Sequence, residues 1–256
     1  MATGDAKILA KGLNLLELLA QSAQGMTALE LADSIGVHKT TVYRYLNTLL
    51  QAGYVQTNGD ASYQLGNKIL ELGSQLLRRM PLRETAHPFL VKLSAETQKT
   101  VHLCVLDGHD VVYIDKVESQ SSLPMMSRIG SRASAYCTGV GKALLSALPT
   151  EQVVSLLQGI TLEKLTAATI TDPMQLLEEL KLTAERRYAI DDGEHEEGIK
   201  CFAAPIKGFG GDIAGAVSLT GLKREFVDKK KTETLIATLR KTAAEISREL
   251  GHIGSK

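Results

Sequence analysis

The chain has 256 residues, and 29 lysines and arginines balance 29 aspartates and glutamates. Its 44% hydrophobic and 23% charged content excludes a disordered segment or a polybasic coat protein, and its length suits one large domain or a small domain with a medium one. No apolar run approaches the roughly 20 residues of a membrane span, and residues 1–11 lack an apolar signal core with a cleavage site.

Cys104, Cys137 and Cys201 are odd in number and lack C-x-x-C spacing, which disfavours a disulfide framework or structural zinc. The expectation is a cytoplasmic protein, away from membranes, with an aliphatic core, because Trp is absent.

Ile8 to Gln21 carries Ile8, Leu9, Leu15, Leu16, Leu18 and Leu19 in a helical stripe. Thr27-Ala28-Leu29-Glu30 reads as a capping box, opening a short helix with Leu29, Ala32 and Ile35 on its apolar face. After Gly36 a third helix runs from about Lys39 to Gln51. Val42, Leu46 and Leu49 form its inner stripe; Thr40, Tyr43, Arg44, Asn47 and Gln51 lie opposite. A short helix, a glycine turn and a helix with a polar outer face make a helix-turn-helix, whose second helix would read the major groove. Arg44 suits guanine, Lys39 suits phosphate, and Thr40, Thr41 or Tyr43 suit phosphate or a thymine methyl. Periodicity alone leaves a plain three-helix unit equally open. The segment Tyr54 to Leu65, with Asn58-Gly59 at its centre, reads as a two-stranded wing and favours DNA reading. Against it, residues 1–65 hold four basic side chains (Lys7, Lys11, Lys39, Arg44) and five acidic ones (Asp5, Glu17, Glu30, Asp33, Asp60), a net of −1. The electrostatic part of DNA affinity is therefore weak, and two copies would be needed.

Gly66 to Met80 reads as a further helix, with Ile69, Leu72, Leu76 and Met80 on one face. It either packs on its own domain or pairs with its copy in a dimer; the second is favoured, because symmetric dimers read paired half-sites. From Leu82 the pattern becomes mixed. Helices are expected at Arg83–Thr97, Gly139–Leu148, Glu151–Leu157, Pro173–Arg187 and the C-terminus. Strands are expected at Val101–Leu106, Val111–Val117, Ala189–Asp191, Lys200–Ile206 and Ile213–Thr220, with a loop over Ser121–Thr138. Such interleaving suits a curved, mostly antiparallel sheet covered by helices, with a concave face for a small molecule.

Catalytic signals are poor. Gly139-Val140-Gly141-Lys142 lacks the spacing of a phosphate loop. The six histidines show no metal-ligand pairing on one helix, and no cofactor or metal is expected. The acidic run Asp191-Asp192-Gly193-Glu194 reads as a solvated turn, although one carboxylate there can face a pocket.

The motifs Gly36-Val37-His38-Lys39-Thr40-Thr41-Val42-Tyr43-Arg44-Tyr45-Leu46, Gly53-Tyr54-Val55 with Tyr63-Gln64-Leu65-Gly66, Gly139 to Leu145, and Asp191 to Ile206 together resemble the IclR family of transcriptional regulators along nearly the whole chain. His38 stands where the family often has proline. Ser127-Arg128-Ile129-Gly130 is similar to the branch regulating sugar-acid and pectin-fragment catabolism. The resemblance implies an α+β chain: a winged helix-turn-helix over residues 1–65, a linker helix over 66–81, and an effector-binding and oligomerisation domain over 82–256, its curved sheet of GAF/profilin-like type. It implies a ligand-responsive repressor acting on a double-stranded operator through Lys39, Thr40, Thr41, Tyr43, Arg44 and Asn47, as a homodimer associating to a homotetramer. The implied effector, a small carboxylate or sugar acid, would meet Met125, Ala133, Gly139, Val140, Asp191, Ile199, Cys201, Ser218 and Thr220. Helix-start amides at Gly139 and Val140 would take the carboxylate. Two other readings stay open: a small-molecule enzyme using Asp191, Cys201 and His102, and a metabolite-binding adaptor without DNA contact.

Overall fold

Leucines four residues apart anchor the first helix. α1 (Gly4–Gln21) buries Leu15 and Leu19, whereas Ile8, Leu9 and Leu13 are exposed, so only the C-terminal half of the expected stripe is core. The computed structural model describes residues 4–58, 61–119 and 127–252, and the chain divides into two compact units, Met1–Arg79 and Met80–Lys256.

In the first unit a short strand β1 (Met26–Thr27) leads into α2 (Ala28–Ile35). Thr27 Oγ1 accepts from the Glu30 amide, and a Glu30 carboxylate oxygen accepts from the Thr27 amide at 2.7 Å, which is the capping box expected from the sequence. The buried side of α2 is Ala28, Leu31 and Ala32; Leu29 falls on the solvent side, contrary to the expected face, because at roughly 100° per residue it lies a quarter-turn beyond Ala28, off the arc that these three share. α3 (Lys39–Gln51) buries Val42 and Leu46. Strands β2 (Val55–Asn58) and β3 (Ser62–Leu65) pair antiparallel, and β1 adds to the far side of β3, so the wing belongs to a three-stranded sheet in the order β1-β3-β2. The Gly59-Asp60 turn lies outside the described residues. The helix α4 (Asn67–Arg78) buries none of its residues and leaves Leu70, Leu72 and Leu76 exposed.

The second unit opens with α5 (Pro81–Thr97) and the hairpin β4 (Thr100–Asp107) and β5 (Asp110–Val117). The segment read as loop contains a short strand, β6 (Arg132–Ser134), which pairs with β5, and a 3-10 turn over Ala135–Cys137; three residues without apolar alternation give no strand signal. Helices α6 (Gly139–Leu145), α7 (Thr150–Leu157) and α8 (Pro173–Arg186) follow, then β7 (Ala189–Asp191), β8 (Ile199–Lys207), β9 (Ile213–Leu222) and α9 (Lys229–Glu249). The six strands run β6-β5-β4-β9-β8-β7, with every neighbour antiparallel.

Strand periodicity sorts the side chains into two layers. Val101, Leu103, Phe202, Ala204, Ile206, Val217 and Leu219 pack with Leu90 and Leu93 of α5 and with Leu235, Leu239 and Ile246 of α9. Cys104, Ala203 and Ala216 pack instead with Val140, Leu144 and Leu176 of α6 and α8. Between these apolar positions the strands carry His102, Cys201, Ser218 and Thr220, whose alternation puts them on the α6 side of the sheet.

Candidate functional site

Two features carry chemistry, one in each unit. In the first, α3 leaves Lys39, Thr40, Tyr43, Arg44 and Asn47 exposed, while Thr41 is half-buried. The Lys39 ammonium sits 5.7 Å from the centroid of the Tyr43 ring, so a cation and an aromatic hydroxyl are presented together at the start of the helix. His38 caps that helix without a side-chain hydrogen bond; the Thr41 amide donates to the His38 carbonyl at 2.9 Å, and the helix start has no side-chain acceptor of its own. The arrangement matches a reading helix, whose N-terminal residues meet base edges and phosphates.

In the second unit a cavity of about 230 Å³ opens over the α6 face of the sheet. Ser218 and Thr220 from β9, Cys201 and Ile199 from β8, and Asp191 at the end of β7 form one side. Ala133 from β6 and Gly139 and Val140 from α6 form the other. Cross-strand register explains the grouping: Asp191 pairs with Cys201, Cys201 with Thr220, and His102 with Ser218, so neighbours on one face arrive from four strands. α6 comes this close because it starts with glycines. A Cβ on Gly139 would meet Cys201 Cβ at 3.2 Å, and one on Gly141 would fall 2.1 Å from the Ala135 carbonyl oxygen.

The polar groups are locked to one another. Thr220 Oγ1 lies 3.2 Å from Cys201 Sγ and 3.2 Å from His102 Nδ1, and His102 Nε2 lies 2.8 Å from Ser127 Oγ. Burial, with the Lys116 charge second, lowers His102 to about 3, so its imidazole is neutral at physiological pH. Burial pushes the Cys201 thiol far up, with Asp191 adding to the effect, which favours the neutral thiol over a nucleophilic thiolate. Tyr113, edge-on to His102 at 5.3 Å, is raised by burial as well. Asp191 Oδ1 accepts from the Glu194 amide at 2.7 Å. Burial raises Asp191, opposed by that amide and by Lys142.

Beneath the cavity wall the acidic run is part of the interior. Asp191 and Glu194 are buried, not solvated as a charge run ordinarily is. Lys142, only 1% exposed, ion-pairs with Glu194 and lies 3.7 Å from Glu179. The lysine of the Gly139-Val140-Gly141-Lys142 segment therefore braces the turn from α6, and the segment is no phosphate loop. Burial still outweighs Lys142 and raises Glu194 to about 7. Thr169 Oγ1 donates to the Glu194 carbonyl at 2.7 Å, and Thr166 Oγ1 to that of Gly193 at 2.6 Å, which fixes the turn from outside.

Of the nine candidate effector residues, Ala133, Gly139, Val140, Asp191, Ile199, Cys201, Ser218 and Thr220 all line this one cavity; Met125 lies outside the described residues. The sequence placed His102 only in the alternative enzyme reading and gave no role to Tyr113 or Thr138, which also line the cavity with Ser127 and His195. The strict alternation of Val101-His102-Leu103 was the available signal for His102. Tyr113 enters through cross-strand register, which leaves no local trace. Among the described residues, no three His, Cys, Asp or Glu side chains gather to hold a metal ion, and no helix is long and apolar enough to cross a membrane.

Comparison with known proteins bears on both features. Residues 8–59 match the IclR helix-turn-helix domain, and residues 74–248 match the C-terminal domain of the bacterial transcriptional regulator IclR. The chain is 35% identical to the acetate operon repressor of Salmonella typhimurium over 97% of its own length and 92% of that protein. It is 34% identical to the HTH-type transcriptional regulator KdgR of Escherichia coli, over 94% of this chain and 92% of that one. The crystal structure of Thermotoga maritima IclR superposes with a TM-score of 0.80 at 36% identity, covering 96% of this chain and 99% of that one. With a reading helix in one unit, a polar cavity in the other and relatives of this identity along its length, the chain belongs to the IclR family of bacterial transcriptional regulators and is not an enzyme.

Proposed function

We propose that this regulator is a repressor of a catabolic operon whose effector, a small carboxylate or sugar acid, binds in the cavity over α6. The observation that carries the reading is the cavity's lining: hydroxyls from Ser218 and Thr220, the Asp191 carboxyl and neutral His102 surround about 230 Å³ beside the start of α6. Convergent donors and acceptors around a small volume suit a compact polyhydroxylated acid. The name of the acetate operon repressor supports control of carboxylate metabolism and a repressing sign. Lys39, Thr40, Thr41, Tyr43, Arg44 and Asn47 form the reading face.

The chain acts on duplex DNA in the cytoplasm as a homodimer that associates to a homotetramer. The exposed Leu72 and Leu76, one turn apart on α4, support pairing, since apolar side chains exposed on one helix face mark contact surfaces. Residues 1–65 form the reader, 66–81 the connector and 82–256 the sensor. Effector binding alters the relation of two readers, a coupling worth about 1–3 kcal/mol or roughly 5–150-fold in operator affinity.

The test uses the duplex upstream of the neighbouring operon and a thermal-shift panel of sugar acids and keto acids. Arg44→Ala abolishes sequence-specific binding and leaves effector stabilisation intact; retained specificity removes Arg44 from the reading face. A hit that stabilises the Asp191→Ala/Ser218→Ala double variant as strongly as the parent places the effector elsewhere.

A further inference from the structure

A second concavity of about 790 Å³ lies in the Met80–Lys256 unit, and it is built differently from the first. β7 covers β8 only from Cys201 to Ala203, so the strand edge beyond is open. The concavity forms there, between the end of α8 and the outer face of α9. Small side chains line it too: Ala204, Ala243 and Ser247 are buried, Ala147 is half-buried, and Ala184 and Ala244 are exposed. Its rim is cationic: Arg187, Lys207, Arg240, Lys241 and Arg248 all line it, and no Asp or Glu does. Lys241 has an acidic neighbour, Glu245 at 4.0 Å. For Arg187, Lys207, Arg240 and Arg248 no ion pair is found among the described residues, although the chain as a whole carries as many acids as bases.

Two details hold this arrangement in place. Arg187 ends α8 with φ 61°, in the left-handed region; glycine is the residue favoured at such a C-cap, so an arginine there is kept against a backbone preference. The Lys207 amide donates to Ser247 Oγ at 3.0 Å, and Ser247 Oγ donates to the Ala243 carbonyl at 2.7 Å, which ties the strand edge to α9. That bond, and Pro205 with no amide hydrogen, leave a poor edge for an added strand.

We infer that this groove is a second ligand site, for a phosphorylated small molecule carrying at least two negative charges. Three guanidiniums around a recess offer paired donors that match phosphate oxygens. The volume falls in the range of small-molecule sites. The small buried side chains of Ala204 and Ala243 leave room in the groove for a compact anion. The site is separate from the cavity over α6, so the chain would answer to a phosphorylated metabolite as well as to its effector.

The probe is inorganic pyrophosphate, titrated into the full-length protein by calorimetry and thermal shift. One saturable site per chain is expected, unchanged by Asp191→Ala/Ser218→Ala. Arg240→Ala and Arg248→Ala should each weaken binding about tenfold, the loss expected for one charge-assisted contact. Arg187→Gly separates binding from folding: it relieves the left-handed backbone, so the ligand-free midpoint holds or rises while pyrophosphate affinity falls by a similar factor. Ala244→Glu should cancel binding with every arginine in place. The proposal is overturned by no saturable binding at millimolar pyrophosphate, or by affinity indifferent to these substitutions. It is equally overturned if the arginine variants lose only non-operator DNA affinity, or if they only dissociate the oligomer; the groove would then belong to DNA or to another copy of the chain.

Discussion

His102 shows how a single residue's meaning depends on its register. In the sequence it is one of six histidines without a metal-ligand partner. On β4 it sits between apolar neighbours, and alternation carries it to the cavity side, where Thr220 Oγ1 and Ser127 Oγ lie within 3.2 Å and 2.8 Å. Its depressed pKa has a measurable consequence. The unfolded chain protonates near 6.5 and the folded chain near 3, so the unfolded state binds the proton first as pH falls. Stability is full above pH 6.5 and is lost progressively towards pH 3, by on the order of a few kcal/mol. His102→Asn removes this contribution, so urea unfolding across that window should show a shallower loss than in the parent. Parallel slopes would mean that His102 is not the neutral buried group described here.

At the scale of elements, α6 is the piece on which the cavity depends. Its start is capped by Thr138 Oγ1, which accepts from the Gly141 amide at 3.2 Å, and its Lys142 pins the acidic turn through Glu194. A methyl group on Gly141 would collide with backbone at Ala135, which no rotamer change relieves. Gly141→Ala should therefore destabilise the Met80–Lys256 unit by about 1–3 kcal/mol, the usual cost of overpacking, and lower effector affinity as α6 shifts from the sheet. Denaturant titration checks the first, and a neutral value would show that α6 can move freely. Most elements were legible where local chemistry is strong: the Thr27–Glu30 capping box, the α3 stripe of Val42 and Leu46, the strands Val101–Leu106 and Val111–Val117. β1 and β6 were not, because two or three residues become strands only when β3 or β5 supplies the partner.

For the whole molecule, the division at Arg79 and Met80 implies that the units respond separately to a ligand held by one of them. Calorimetry should resolve two transitions. An effector at about 100 times its Kd should stabilise the sensor's transition by roughly 2.7 kcal/mol and leave the reader's in place. A single transition moving as one would show the units to be energetically fused. The zero net charge takes on a similar division. Residues 1–65 are slightly acidic, so the proposed DNA reading would draw its affinity from Lys39 and Arg44 presented by paired copies. Unpaired cations gather instead at the α9 groove of the sensor.

Sequence by itself determined the helices of the first unit, because capping boxes and helical stripes act over a few residues, and the family, through the resemblance of its longer motifs. Only the tertiary structure decided that Asp191 and Glu194 are interior groups braced by Lys142, that His102 faces the cavity, and that five cations from α8, β8 and α9 share one groove. These facts depend on strand register and on the packing of helices far apart in the chain, and burial decides which charges must meet a partner inside the fold.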